Sequence, residues 1–197
     1  GGKHLVFQFE DFAIRIHFLL FGTYEAQVEG KWVTGDYRKA RVPRLSLTFD
    51  NGQINMYNCS VKFVESKHAK KEYNFTIDVM SRKWDAVKVR KLVKNFPEEE
   101  ISDVLLDQEV FAGVGNIIRN EVLSLQKLAP QHKVKDISAA KLKSLIEETH
   151  FYSHQFYKWR KKFVLRKHYR IYQKGTCPYC ENKVIRAKTG TRSRWSY

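Results

Sequence analysis

The sequence predicts an α+β protein: antiparallel strands first, then helices, then a short β-like tail. Three observations carry that prediction. Short runs of alternating apolar and polar residues fill the first third of the 197 residues, as strands with one buried face require. Apolar residues spaced i, i+3, i+4, i+7 recur after residue 85, as helices with a buried stripe require. A Cys-x-x-Cys at Cys177 and Cys180 sits among the extended pieces of the tail.

In chain order, Leu5–Phe9 alternates weakly and Phe12–Leu19 cleanly, with Phe12, Ile14, Ile16 and Phe18 on one face and Ala13, Arg15 and His17 on the other. Phe21–Gln27 is expected as a further strand after a bend. Arg44–Phe49 and Gln53–Asn58 flank Asp50-Asn51-Gly52, a strong hairpin signal, and Val61–Val64 is a last short strand. Several short strands in series predict a sandwich or barrel. Val79–Trp84 reads as a linker. Asp85–Asn95 has helical spacing and stops before Pro97, and Glu98-Glu99-Glu100 places acids at a helix start. An apolar helical run through Val104, Leu105, Val110 and Phe111 meets the small-residue turn Ala112-Gly113-Val114-Gly115, and a second helix is expected from Asn116 to Leu125. Ser138 caps a long helix to about Lys161 that buries Leu142, Leu145, Ile146 and Thr149.

Hydrophobic residues at 43% and aromatics at 14% predict a folded protein. No apolar run is long enough to span a membrane, and the N-terminus has no signal-peptide pattern. Three cysteines are no disulfide framework, so a reducing, intracellular setting is expected. The net charge of +15 is concentrated: residues 138–197 hold 15 Lys+Arg against 3 Asp+Glu, while residues 84–137 hold 8 against 9. Charge kept only for solubility would be spread more evenly, so a polyanion-binding surface is favoured. An acidic membrane surface would need an amphipathic basic helix, which is not evident.

The turn at Ala112–Asn116 is where chemistry is first visible. Asn116 suits a helix N-cap, and the first turn of its helix carries no acid, so free N–H groups and the positive dipole end are open to an anion. Gly113 and Gly115 would let a bulky anion approach the backbone. Two glycines packing a helical hairpin explain the pattern equally well. Cys177 and Cys180 have the spacing of half a tetrahedral zinc site; a redox Cys-x-x-Cys would sit in a βαβ context, which is missing. Cys59 is expected in the core. Thr189–Tyr197 is basic with interleaved aromatics, and Arg192 and Arg194 suit phosphates or base edges.

Asp107-Gln108, Phe111-Ala112-Gly113-Val114-Gly115-Asn116 and Asn120-Glu121-Val122-Leu123 fall in register with a known signature. Together they resemble the helix–two-turns–helix of the formamidopyrimidine-DNA glycosylase / endonuclease VIII family. The resemblance extends from Lys3 to Tyr197. Ile16–Gly22, Asn58–Phe63 and Lys161–His168 look closest to its bacterial endonuclease VIII-like branch.

It implies a β-sandwich domain over residues 1–80, a helix–two-turns–helix DNA-binding domain over 85–167 and a zinc β-hairpin over 168–197, the first and last incomplete at the chain ends. It implies a base-excision DNA glycosylase with AP lyase activity that removes oxidised bases and nicks the strand by β,δ-elimination. The partner would be double-stranded DNA with oxidised or abasic sites, and a cytoplasmic, nucleoid-associated bacterial monomer would be expected. Lys3 would assist catalysis beside a lesion phosphate. Leu19, Leu20 and Phe21 would fill the gap left by a flipped-out nucleotide. Gly115, Asn116 and Arg194, or Arg192 in its place, would hold DNA, and Glu121 would orient neighbouring groups. Cys177 and Cys180 would bind a structural Zn2+, completed by a second Cys-x-x-Cys.

The family's catalytic pair, an N-terminal proline followed by glutamate, is not in this chain, which opens Gly1-Gly2-Lys3. The chain is therefore expected to hold DNA-binding machinery without its main catalyst. A catalytically inactive damaged-DNA-binding module of the same fold and an RNA-associated zinc protein are the alternatives.

Overall fold

The computed structural model describes residues 3–35, 41–65 and 73–197, with the side chains of residues 20, 21 and 33–35 outside the described set. Two compact units divide the chain, one over residues 3–73 and the other over 74–197.

The first unit is a sheet of five antiparallel strands: β1 (His4–Gln8), β2 (Phe12–Val28), β3 (Lys31–Gly35), β4 (Leu45–Phe49) and β5 (Gly52–Glu65). The order is β1-β2-β5-β4, and β3 also pairs with β2. β1 takes residues 13–17 of β2 and β3 takes residues 25–28. Two of the expected boundaries disappear. Phe12–Leu19 and Phe21–Gln27 are one strand of 17 residues, and Gln53–Asn58 and Val61–Val64 one of 14. The described strands of this unit hydrogen-bond into one five-stranded sheet.

The feature read as a bend is a bulge inside β2. Pairing runs Phe18 with Cys59 and then Thr23 with Tyr57, so Leu19–Gly22 stand opposite the single residue Asn58, whose φ is +50°. A bulge absorbs extra residues without ending the ladder. The core of the sheet is Ile14, Ile16, Met56 and Cys59, with Phe7, Phe18, Leu47 and Ile54 packed against it. Alternation along β2 is imperfect, because Ala13 is fully buried while Phe12 is 39% exposed and stacks on Phe9.

The second unit has four helices, α1 (Ala86–Val93), α2 (Ile101–Val104), α3 (Asn116–Leu125) and α4 (Ala139–Lys161), and a hairpin of β6 (Ala187–Thr189) and β7 (Arg194–Ser196). Asp85 caps α1, accepting from the N–H groups of Val87 and Lys88 at 2.9 and 3.0 Å. Ser138 caps α4 as expected, accepting from Lys141 N at 3.3 Å. Leu142, Leu145 and Ile146 of α4 enter the core. Thr149 and Ser153 join that stripe because each hydroxyl returns 2.7 Å to a carbonyl one turn back.

Two expectations fail here. Val79 is no linker residue: with Ile77 it lies in the core, and Val79 N donates to Ala112 O at 3.1 Å. The helix before the turn is short, since residues 105–111 form turns, Asp107 O accepting from Val110 N and Phe111 N. No helix among the described residues is long and apolar enough to cross a membrane.

The bulge leaves no room for a side chain at Gly22. A Cβ there would lie 2.6 Å from Asn58 O and 2.9 Å from the Phe18 Cβ. Gly22→Ala is expected to destabilise the chain by about 1–3 kcal/mol, read as a lower thermal midpoint. An unchanged midpoint would show that the bulge relaxes freely.

Candidate nucleic-acid interface

The turn between α2 and α3 is built by Gln108 and Gly113. Gln108 Nε2 donates to Leu106 O and Val114 O at 2.9 and 3.1 Å, and its Oε1 accepts from Gly113 N. Gly113 has φ +103°, a region closed to most side chains, and a Cβ would press to 3.1 Å on Val79 Cγ2. The first of the two glycines therefore serves the turn itself. Gly115, extended at φ −127°, is the N-cap of α3.

Asn116 is thus the first residue of the helix and not its cap, a correction of one position. No side chain caps α3 and no acid lies in its first turn, so its leading N–H groups stay open, as the sequence implied. The Asn116 side chain turns instead to the terminal hairpin, Nδ2 donating to Trp195 O at 3.1 Å. Arg119 Nη2 and Asn120 Nδ2 donate to the same oxygen at 2.8 and 3.2 Å. Arg119 also holds Ser196 Oγ at 2.7 Å, and Asn120 Oδ1 accepts from Tyr197 N.

Arg119 is fully buried, and burial lowers its pKa to about 10, with Asp103 opposing the shift and Arg194 adding to it. It stays cationic at neutral pH. Its Nε and Nη1 have no hydrogen-bond partner among the described residues, nor has Asn116 Oδ1.

The tip of the hairpin is fastened separately. Asp103 of α2 accepts from Thr191 N and Oγ1 at 2.6 and 2.8 Å. Gly190, at φ +70°, allows that approach, because a Cβ there would collide with the Asp103 carboxylate. Arg192 lies back on the turn, Nη1 donating to Leu106 O at 3.3 Å and Nη2 lying 3.8 Å from Asp107 Oδ2. Arg194 is exposed on β7.

Glu121, in the middle of α3, is fully buried. Its carboxylate accepts from the backbone N–H groups of Arg170, Ile171 and Tyr172 at 2.9, 3.1 and 2.8 Å, which fixes the chain as it enters the tail. His168, with no assigned role in the sequence, stacks on Trp159 at 4.2 Å.

In the Cys177–Cys180 knuckle, Cys177 N donates to Asn182 O and Glu181 N to Cys177 O. Backbone N–H groups of Tyr179 and Cys180, directed at the sulfur, hold the Cys177 thiol below its usual range. That is the chemistry a metal-binding thiolate needs. The pair supplies two donors, and among the described residues no group of three or more His, Cys, Asp and Glu could hold a metal ion.

The remaining predicted residues lie in the sheet unit. Leu19, in the bulge, is 48% exposed; the side chains of Leu20 and Phe21 lie outside the described residues. Lys3 is exposed and shares with His4, Leu5, Phe7, Phe18, Tyr24 and Ile54 a cavity of about 530 Å3.

Arg119, Asn120 and Asp103 were not predicted. One signal was available: residues i+3 and i+4 from Asn116 share its face of a helix. Three consecutive polar residues inside an apolar helix also imply something polar packed against it.

Glu121→Gln is expected to lower stability by about 2–4 kcal/mol, since a charged acceptor of several N–H bonds becomes a neutral one with a single carbonyl oxygen. Urea unfolding reads the loss, and a change under about 0.5 kcal/mol would mean the tail is held elsewhere.

Residues 76–151 match the formamidopyrimidine-DNA glycosylase H2TH domain. Over its whole length the chain is 31% identical to the endonuclease 8-like 3 of Mus musculus, aligning 199 residues and covering 32% of that protein. The chain thus spans about a third of the length of this curated relative. The endonuclease 8 of Salmonella arizonae is 44% identical over 61 residues, 31% of this chain and 23% of that one, so the expected bacterial branch is not singled out. A solved Lactococcus lactis formamidopyrimidine-DNA glycosylase, bound non-covalently to DNA containing an AP site, superposes with a TM-score of 0.82 at 19% identity. It covers 100% of this chain and 76% of its own, a likeness of fold. The matched domain, the alignment along the full chain and the shared fold agree: this chain belongs to the formamidopyrimidine-DNA glycosylase / endonuclease VIII family.

Proposed function

We propose that this chain is the lesion-DNA-binding part of a base-excision DNA glycosylase with AP lyase activity. The observation that carries the reading is the uncapped N-terminus of α3 beside the docked hairpin, in a unit whose last sixty residues hold most of the net charge of +15. Such a helix end binds phosphate through N–H groups and dipole. Gly115 and Asn116 face one phosphate, and Arg194 takes another. Arg192, turned towards Asp107 and Leu106, is the less available of the two hairpin arginines. The animal relative is named an endonuclease, and the structural neighbour is held on abasic-site DNA.

In this reading Lys3 assists beside the lesion, and Leu19, with Leu20 and Phe21, replaces the extruded nucleotide. Extrusion costs a few kcal/mol of lost stacking, and exposed apolar side chains offset part of it. The chemistry is attack of an amine on C1′ with departure of the base. Loss of a C2′ proton from the resulting iminium then expels the 3′ phosphate, and a second elimination expels the 5′ phosphate. No residue of 1–197 is assigned the nucleophile. Cys177 and Cys180 supply two thiolates to a structural Zn2+, which would stiffen the entry to the hairpin.

Binding to a duplex with a single abasic-site analogue is the first test, measured by fluorescence anisotropy. Asn116→Ala is expected to weaken it about five- to tenfold with an unchanged circular dichroism spectrum. Arg194→Ala is expected to lower the slope of log Kd against log salt by about 1. Normal affinity in either variant would remove that residue from the site. Borohydride reduction of the full-length protein on abasic DNA should leave a covalent adduct; none would support a binding module without catalysis. Preference for structured RNA over the lesion duplex would overturn the DNA reading altogether.

A further inference from the structure

Trp195 is 40% exposed, yet its backbone is the most heavily gripped point of the hairpin. Its carbonyl oxygen receives three donors, from Asn116, Arg119 and Asn120, although a carbonyl has only two lone pairs. A buried guanidinium is among them, and burying a cation is costly. An exposed side chain present only as surface has no need of so rigid a base. Immobilising the backbone beneath an aromatic face is how a fold prepares that face for a ligand.

The surroundings define the ligand. The Arg186 guanidinium carbon lies 3.9 Å from the centroid of the indole, and Lys188 Nζ lies 5.6 Å from it. Lys188 is the cross-strand partner of Trp195 in the hairpin register. Arg186 also reaches within 5.8 Å of the Tyr197 ring, which packs against Tyr172 at 5.1 Å. At 3.9 Å the Arg186 guanidinium covers one face of the indole, and Trp195 still stays 40% exposed. A ring backed in this way, with a second cation near it, suits a planar base that carries negative charge on either side, which is a nucleotide. A base paired inside a duplex keeps both faces covered, so the base must be unpaired.

We propose that the indole of Trp195, on the face away from Arg186, is a stacking platform for an unpaired nucleobase, with Arg186 and Lys188 contacting the phosphates that flank it. This rests on the reading that the hairpin faces DNA, and it adds a base contact to a surface otherwise assigned to the backbone. Stacking on an aromatic side chain is sequence-tolerant and independent of salt, whereas the cations supply the salt dependence.

The probe is a short single-stranded oligodeoxythymidine, titrated into the chain while tryptophan emission and anisotropy are followed. Emission should fall on binding. Trp195→Phe should bind within about threefold of the parent but lose most of that fall, because the other three tryptophans (Trp32, Trp84 and Trp159) are not at the platform. Trp195→Ala should bind about five- to hundredfold more weakly with the same salt slope. Arg186→Ala and Lys188→Ala should each reduce that slope. The gripped atom is backbone, so both Trp195 variants keep the anchor, and thermal melts check it. Parental affinity in Trp195→Ala, or an undiminished fall in Trp195→Phe, overturns the proposal. If Trp195→Ala binds normally while Arg194→Ala loses its salt slope on lesion duplex, stacking fails and the DNA reading stands. If no nucleic acid binds at all, the DNA reading fails and takes the platform with it.

Discussion

A ten-residue helix holds the helical unit and the tail together from two of its sides. Asn116, Arg119 and Asn120 converge on the carbonyl of Trp195, while Glu121 gathers three backbone N–H groups at the start of the tail. Both ends of the segment 170–197 are thereby tied to α3. The cost is a buried cation and a buried carboxylate in a helix otherwise apolar on its inner side. Removing one partner would strand a charge away from water, which makes the arrangement unforgiving and the geometry well defined.

The same constraint shapes the surface. The polar residues of α3 are taken up by the hairpin and the tail, and its N-cap, Gly115, has no side chain, so the leading N–H groups of the helix are left uncapped. The hairpin is stapled a second time by Asp103 at Thr191, so β6 and β7 cannot swing on a single pivot. The basic tail then becomes a fixed pattern of cations and aromatics.

The sheet unit solves a different problem. β2 and β5 run together for most of their lengths, and four residues of β2 are accommodated opposite one of β5. The bulge places exposed Leu19 on a strand whose flanking residues are core. A bulge inside a paired strand holds such residues more firmly than a free loop would, because ladder hydrogen bonds continue on both sides.

Much of the helical unit was legible in sequence. The bounds of α3, the capping of α4 by Ser138 and its buried stripe follow from local patterns that need no distant partner. Strand continuity was not legible, because a bulge and a turn leave the same break in alternation and only a pairing partner separates them. Asn116 was correctly placed beside the turn, yet its side chain is spent on a residue 79 positions away. The sequence by itself determined the α+β class, the concentration of positive charge and the helix start open to an anion, because these are properties of short segments. Only the tertiary structure decided that Arg119, Asn120 and Asp103 hold the hairpin and that Trp195 stands on a gripped backbone. Those contacts join residues far apart in the chain, and no local pattern records which buried polar group will meet which.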